Sequence, residues 1–289
     1  MIHVENLCHS YNKDDKYAVR DVSFAIAKGE VFGFLGPSGA GKSTTQNIIT
    51  GLLPLQKGRV EVAGYDIAKP HLPMYNRIGV SFETANLYGK LTALENLRFY
   101  AGLFDVPTRD SMELLSIVGL EGAANKKAGA FSKGMKQRLN FARSMLNNPE
   151  LWFLDEPTSG LDPAIAEQIK GVIKAQNQKG ATVFLTTHNM FIADDLCDRV
   201  AFIVDGEIKL IDSPKELKLR FGQHFVDVEY VKEGRIASVS LSTENQKDRE
   251  ELAHIIRSFP IRTMHTKEAT LEQIFIKVTG KGLVADEAV

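Results

Sequence analysis

The sequence predicts an α/β fold built on a mixed sheet with an antiparallel β region and a helical subdomain, followed by a small α+β module. Three observations carry that expectation. A glycine-rich turn, "GPSGAGKST" at 36–44, lies between a continuous apolar run, "VFGFL" at 31–35, and a stretch with helical spacing. Two further apolar runs, "LWFLD" (151–155) and "ATVFLTTH" (181–188), enclose a helix expected at about 163–179. Runs this short and this apolar read as strands buried on both faces. Beyond about residue 222 the pattern changes to alternating segments around one helical stretch, the mark of a separate small module.

Taken in order, residues 2–7 and 22–27 alternate apolar and polar side chains, as edge or meander strands do. The apolar run at 31–35 gives a buried strand, and a helix follows the glycine turn. "LTALENLRFYAGLF" (91–104) opens with Thr92 and Glu95 at capping-box spacing, and from there to 146 the chain reads almost wholly helical. "VAFIVDGEIKLID" (200–212) reads as a hairpin turning at Asp205-Gly206, and 214–221 as a connecting helix. "HFVDVEYV", "RIASVSLS", a helix near 247–258, "IRTMHT" and "TLEQIFIKVTG" then complete the small module. The expected domains are 1–215, with a helical subdomain at about 91–146, and 222–280.

The chain has 289 residues, 44% hydrophobic and 25% charged, with formal net charge -1. That composition supports a real core, and the charge gives no footprint for nucleic acid or an anionic membrane surface. Two distant cysteines, Cys8 and Cys197, supply neither a disulfide framework nor metal spacing. The N-terminus turns polar before a signal core could form, and no apolar run approaches the roughly 18–20 residues that cross a bilayer. The expectation is a chain that neither enters secretion nor spans a membrane by itself.

The chemistry gathers at three places. In "GPSGAGKST" the glycines Gly36, Gly39 and Gly41, with Pro37, Ser38 and Ala40 between them, let backbone N–H groups and a helix N-terminus cradle phosphate oxygens. Lys42 can reach β- and γ-phosphates, the Ser43 hydroxyl can bind Mg²⁺, and Thr44 follows. "LWFLDEP" releases Asp155 and Glu156 at a strand's C-terminal end, where open α/β sheets bind ligands. Asp155 can hold Mg²⁺ and Glu156 can polarise an attacking water. His188 leaves the next strand at the same sheet edge and can hydrogen-bond a γ-phosphate. "NKDD" (12–15) matches a guanine-reading pattern but precedes the phosphate loop, so guanine specificity is set aside.

With these residues in hand, 2–215 resembles the ATP-binding cassette (ABC) ATPases, the P-loop NTPase motor subunits of ABC transporters, because several motifs fall in family order. The resemblance puts the adenine-stacking aromatic at Tyr11 and the magnesium-sensing loop at Glu83, where the family usually has Gln. It puts the signature on "FSKGM", with Ser132, Lys133, Gly134 and Met135 offered to the other subunit's nucleotide; Lys133 and Met135 depart from the usual pattern. "SGLD" (159–162), ending in Asp162, becomes the loop that crosses between subunits, and His188 the switch histidine. What the resemblance implies is an ATPase with ATP and Mg²⁺ as ligands, a second cassette in a homodimer, a separate transmembrane permease, and no nucleic acid. Such a subunit would sit peripherally at the cytoplasmic face of the cell membrane, held by the permease. "TLEQIFIKVTG" (270–280) looks like the C-terminal extension of bacterial drug and antibiotic exporters, which points to export. The rival within the family is a soluble ABC ATPase acting on a macromolecular complex. Its ribosome-acting forms carry two cassettes in one chain and its DNA-repair forms a long coiled coil, neither of which this sequence has. Apolar side chains at Leu87, Tyr88 and Leu91 lead us to expect the permease to dock on the helical region and the loop around Glu83 to Leu91.

Overall fold

The computed structural model describes residues 1–12, 16–69, 71–222, 225–267 and 269–282; most of the "NKDD" tetrapeptide lies outside the described residues. The chain forms two compact units, one made chiefly of Met1–Asp212 and the other of Ser213–Lys281.

The first unit opens with β1 (Ile2–His9) and β2 (Val19–Ile26), then β3 (Val31–Leu35), α1 (Lys42–Ile49), β4 (Lys57–Val62), β5 (Tyr65–Asp66), α2 (Leu72–Tyr75) and β6 (Ile78–Ser81). Next come α3 (Ala93–Ala101), α4 (Ser111–Ile117), two short 3₁₀ turns and α5 (Lys133–Arg143). The unit ends with β7 (Leu151–Asp155), α6 (Pro163–Gln178), β8 (Thr182–Thr187), α7 (Met190–Leu196), β9 (Arg199–Val204) and β10 (Glu207–Asp212).

Two sheets form. One is antiparallel in the order β2-β1-β4-β5, and its alternating burial comes from having one face on the core. The other runs β10-β9-β3-β8-β7-β6, parallel throughout except for the closing β9-β10 hairpin. Every residue of β3, β7 and β8 is buried, which is why these strands appear in the sequence as unbroken apolar runs. Phe24, Phe32, Phe34, Phe153 and Phe184 fill the space between the sheets, with ring centroids 5.5–6.4 Å apart. Each buried ring contributes roughly 1.5–3 kcal/mol. The register sets Leu35 beside Thr187 and Asp155 beside Thr186, so the C-terminal ends of β3, β7 and β8 meet at one sheet edge.

The region expected to be almost wholly helical is instead three helices separated by loops and 3₁₀ turns. Gly102 caps α3, Pro107 lies in the loop before α4, and Gly119 (φ 64°) follows the end of α4, so each interrupts the helical run. Strands β4, β5 and β6 escape the sequence pattern. β4 exposes its first three residues, Lys57–Arg59, and β6 is only four residues long. α5 seats on the sheet through Phe141, whose ring is 4.9 Å from that of Trp152; the indole N–H donates to Ser144 Oγ at 2.7 Å.

The second unit contains α8 (Pro214–Phe221), the expected connecting helix, then β11 (Phe225–Lys232), β12 (Arg235–Ser242), α9 (Gln246–Ser258), β13 (Ile261–Lys267) and α10 (Leu271–Thr279). Its antiparallel sheet runs β12-β11-β13, and its small core joins Val226, Val228 and Leu241 to Ile255 of α9. α10 starts with a reciprocal capping box between Thr270 and Gln273 and stops at Gly280 (φ 68°).

Candidate functional site

The turn after β3 folds as its glycines allow. A Cβ on Gly36 would run into the Ile203 carbonyl oxygen, and one on Gly41, at φ 104°, would stand 2.6 Å from the Ala18 oxygen. Only residues without a side chain fit both places. α1 begins at Lys42, with Gly41 as its N-cap, so its first N–H groups open toward the concavity that the turn encircles. The Lys42 ammonium is buried there and donates to the carbonyls of Gly36 at 2.6 Å and Pro37 at 2.9 Å. Burial holds its pKa below the ordinary lysine value, against the pull of Glu156, Asp155 and Glu83.

β7 ends in two carboxylates that both face this concavity. Successive strand residues normally point to opposite faces. Glu156 breaks that alternation by adopting φ 47°, an unusual backbone conformation for a non-glycine residue that costs of order 1–3 kcal/mol. The turn is held by its N–H donating to the Thr186 oxygen at 3.0 Å. Three donors then fix the Glu156 carboxylate: Thr187 Oγ1 at 2.9 Å, the His188 backbone N–H at 2.8 Å, and the His188 ring, whose Nδ1 lies 2.5 Å from Oε1. Asp155 accepts a short hydrogen bond from the Thr186 hydroxyl. Burial, reinforced by Glu83 and Glu156, pushes its carboxyl above the ordinary range, although Thr186 and Lys42 oppose the shift.

Tyr11, Ser38, Gly39, Gly41, Lys42, Ser43, Thr44, Glu83, Asp155, Glu156 and His188 line one cavity of about 590 Å³. Tyr11 is 63% exposed, so a ring face is open, while its hydroxyl lies 3.0 Å from Thr44 Oγ1. Pro37 and Ala40 complete the turn without lining the cavity. Ser132, Lys133, Gly134, Met135 and Asp162 stand elsewhere, on a second surface. Ser132 caps α5 by accepting from Met135 N at 3.2 Å, and Asp162 caps α6 by accepting from Ile165 N at 3.1 Å. The two caps adjoin, since a Cβ on Gly160 would stand 3.7 Å from Lys133 Cε.

Sequence reasoning passed over Thr186 and Thr187. Their signal was two hydroxyls at the end of an otherwise apolar strand, just before His188. Among the described residues no cluster of three His, Cys, Asp or Glu side chains can hold a metal alone. Oxygen donors do converge at Ser43, Asp155 and Glu83, and the crowding of negative charge around Asp155 is what a hard dication relieves once phosphate oxygens complete its shell. The residues therefore fit Mg²⁺ together with a nucleotide.

A second concavity, of about 630 Å³, is walled by Leu52, Leu72, Tyr75, Tyr100, Leu103 and Phe104 among others. Leu72 and Leu103 are 79% and 64% exposed. Of the three apolar side chains in the loop where the sequence suggested docking, Tyr88 is exposed and Leu87 and Leu91 are half-buried.

A phosphate-cradling turn, a buried lysine and paired carboxylates at the ends of parallel strands define a nucleotide-binding P-loop protein. The family model described as ABC transporter matches residues 19–159. The Fluoroquinolones export ATP-binding protein of Mycobacterium tuberculosis is 47% identical over 284 residues, covering 98% of this chain and 94% of the relative. The Linearmycin resistance ATP-binding protein of Bacillus subtilis is 34% identical, covering 98% and 99%. Among solved structures, a dimeric ATP-binding cassette in a post-hydrolysis state with ADP and phosphate superposes with TM-score 0.68 at 30% identity, covering 74% of this chain and 98% of that one. The chain belongs to the ABC transporter ATP-binding family: it is an ATP-binding cassette and an ATPase. ATP-binding subunits of this family dimerise and work with transmembrane partners. No helix among the described residues is long and apolar enough to cross a membrane.

Proposed function

We propose that this chain powers drug export: two copies pair, each closes on ATP with Mg²⁺, and hydrolysis drives a separate transmembrane permease at the cytoplasmic face of the membrane. The observation that carries the reading is the turned backbone at Glu156, which sets two successive carboxylates against the buried Lys42 in one cavity. In this reading Tyr11 offers its ring to the adenine. Gly36 to Thr44 cradle the phosphates, and Lys42 exchanges the carbonyls of Gly36 and Pro37 for phosphate oxygens. Ser43, Asp155 and Glu83 would hold Mg²⁺, which when bound offsets charge on the phosphates. Glu156 takes the proton of the attacking water. His188 holds the Glu156 carboxylate and can donate toward the γ-phosphate. Ser132, Lys133, Gly134 and Met135 face the partner's nucleotide across the dimer, with Asp162 at the crossing loop. An exposed helix start with about +0.5 charge suits an anion there. Met1–Asp212 is the cassette of this assembly and Ser213–Lys281 an accessory domain.

The permease is assigned to the apolar groove walled by Leu72 and Leu103, because exposed apolar surface of that extent marks an interaction site. The names of the mycobacterial and Bacillus relatives support a drug-like cargo. The test is co-expression with the candidate permease in membrane vesicles, measuring ATP hydrolysis together with fluoroquinolone efflux. Efflux that requires both chains and is lost with Glu156→Gln supports the reading. Hydrolysis with no efflux, and recovery of the chain on ribosomes, would replace it with the soluble alternative.

A further inference from the structure

Arg143 ends α5, a position where a cation commonly meets the last helix carbonyls. Its side chain is engaged otherwise. One nitrogen donates to the Asn86 carbonyl at 2.6 Å and the other to Asn140 Oδ1 at 2.5 Å, while the guanidinium lies 4.6 Å from the Tyr100 ring centroid. Asn140, fully buried one turn earlier on α5, donates to the Phe82 carbonyl at 2.7 Å and to Ser81 Oγ at 3.2 Å. The Tyr100 hydroxyl donates to the same Asn86 carbonyl at 3.2 Å. Phe82 and Asn86 bracket Glu83, in a segment with no helix or strand of its own. Its backbone is therefore gripped on both sides of Glu83, and both grips come from α5.

The cost of this arrangement argues against filler. Burial lowers the Arg143 pKa, and no carboxylate forms an ion pair with it among the described residues. A half-buried cation without a carboxylate partner still carries a desolvation cost, and a neutral side chain would fill the space more cheaply. What a neutral side chain lacks is a rigid fork that satisfies a carbonyl and an amide at a fixed angle.

We propose that Arg143 is a positioning residue for Glu83: with Asn140, it fixes the backbone on both sides of Glu83 to the helix that begins at Ser132, and so aims the carboxylate at the nucleotide. The inference rests on the reading that Glu83 helps to hold Mg²⁺. It also ties the Glu83 segment to the helix whose start is offered to the partner.

The experiment measures the affinity of the full chain for a fluorescent ATP analogue across a Mg²⁺ series, and amide hydrogen exchange at 83–88 without nucleotide. Arg143→Lys is expected to leave Mg²⁺-free affinity unchanged, to raise the Mg²⁺ concentration for half-maximal tightening about tenfold, and to speed exchange at 83–88. In a Glu83→Gln background the same substitution should move the Mg²⁺ curve no further, since both changes act on one interaction. A lowered thermal midpoint with an unmoved Mg²⁺ curve, or additive effects in the double variant, overturns the assignment. Tyr100→Phe removes one hydroxyl from the same carbonyl while keeping the ring; a smaller shift in the same direction is expected, and no shift overturns the proposal should Arg143→Lys fail to fold. If Glu83→Gln alone leaves the curve unmoved, the metal role of Glu83 falls and this inference with it. If it moves the curve and Arg143→Lys does not, the positioning role alone falls.

Discussion

Lys42 and Glu156 sit in the same cavity, yet their loss should be felt at different steps. Lys42→Ala removes a buried cation from that cavity and should weaken ATP binding. Glu156→Gln keeps the shape and one oxygen that can accept from the His188 backbone N–H, so ATP should stay bound while turnover falls about 100-fold or more. Equilibrium binding and steady-state hydrolysis separate the two; normal turnover in Glu156→Gln would remove its role as base. Asp155 gives a prediction of opposite sign. Its carboxyl is raised in the folded chain, so as pH climbs the unfolded state loses its proton first, and ionised Asp155 weakens the nucleotide-free fold at neutral pH. Asp155→Asn should therefore raise the nucleotide-free thermal midpoint by roughly 2–4 °C at pH 7 while abolishing Mg²⁺-dependent tightening. The gain should shrink as pH falls into the ordinary carboxylate range; a gain that persists there would mean that ionisation is not its source. At this scale Asp155, Glu156 and His188 were legible because charged residues at the ends of apolar runs stand out. Thr186, Thr187 and Arg143 were not, because an uncharged hydroxyl in a strand and an arginine at a helix end have commonplace uses.

The elements divide by how they are buried. β3, β7 and β8 lie inside a sheet covered on both faces and could be read directly, as could the Asp205-Gly206 hairpin, whose two residues take φ 52° and 78°. β6 could not, because four residues give no period to detect, and its place beside β7 is set by tertiary packing. Asp162 shows how an element's start serves a surface: it caps α6 next to the capped start of α5. Asp162→Ala should cost about 1 kcal/mol of stability, measured by denaturant unfolding, and loosen the 159–162 loop. Gly41→Ala is a sharper probe. Strain at φ 104° and the clash with the Ala18 carbonyl should weaken nucleotide binding by at least about tenfold, read by fluorescent nucleotide titration, even where the chain still folds.

In the whole molecule, each chain carries a phosphate loop and, on a separate surface, the capped start of α5. Lys42→Ala damages the first and Ser132→Ala the second, so each variant alone should form dimers with two poor sites. Mixed, they should yield heterodimers with one intact site, and nucleotide trapping should recover to about half the wild-type level per heterodimer. No recovery in a mixture shown to contain heterodimers would mean that each chain completes its own site. Leu103→Glu, in the apolar groove, should separate the chain from its permease in co-purification; retained association would move the contact elsewhere. The phosphate loop also has a history within the chain. Its glycines lie against Ile203 and Ala18, and the Gly206 N–H donates to the Ala40 carbonyl at 3.0 Å while the Gly206 carbonyl accepts from Arg20 N at 2.8 Å. On a translating ribosome the loop is made early, but the hairpin that braces it follows some 160 residues later, an interval of about 8–30 s at ordinary elongation rates. Until then a nascent chain holds the motif without its support, so cellular ATP should assist folding only after the β9-β10 hairpin has emerged.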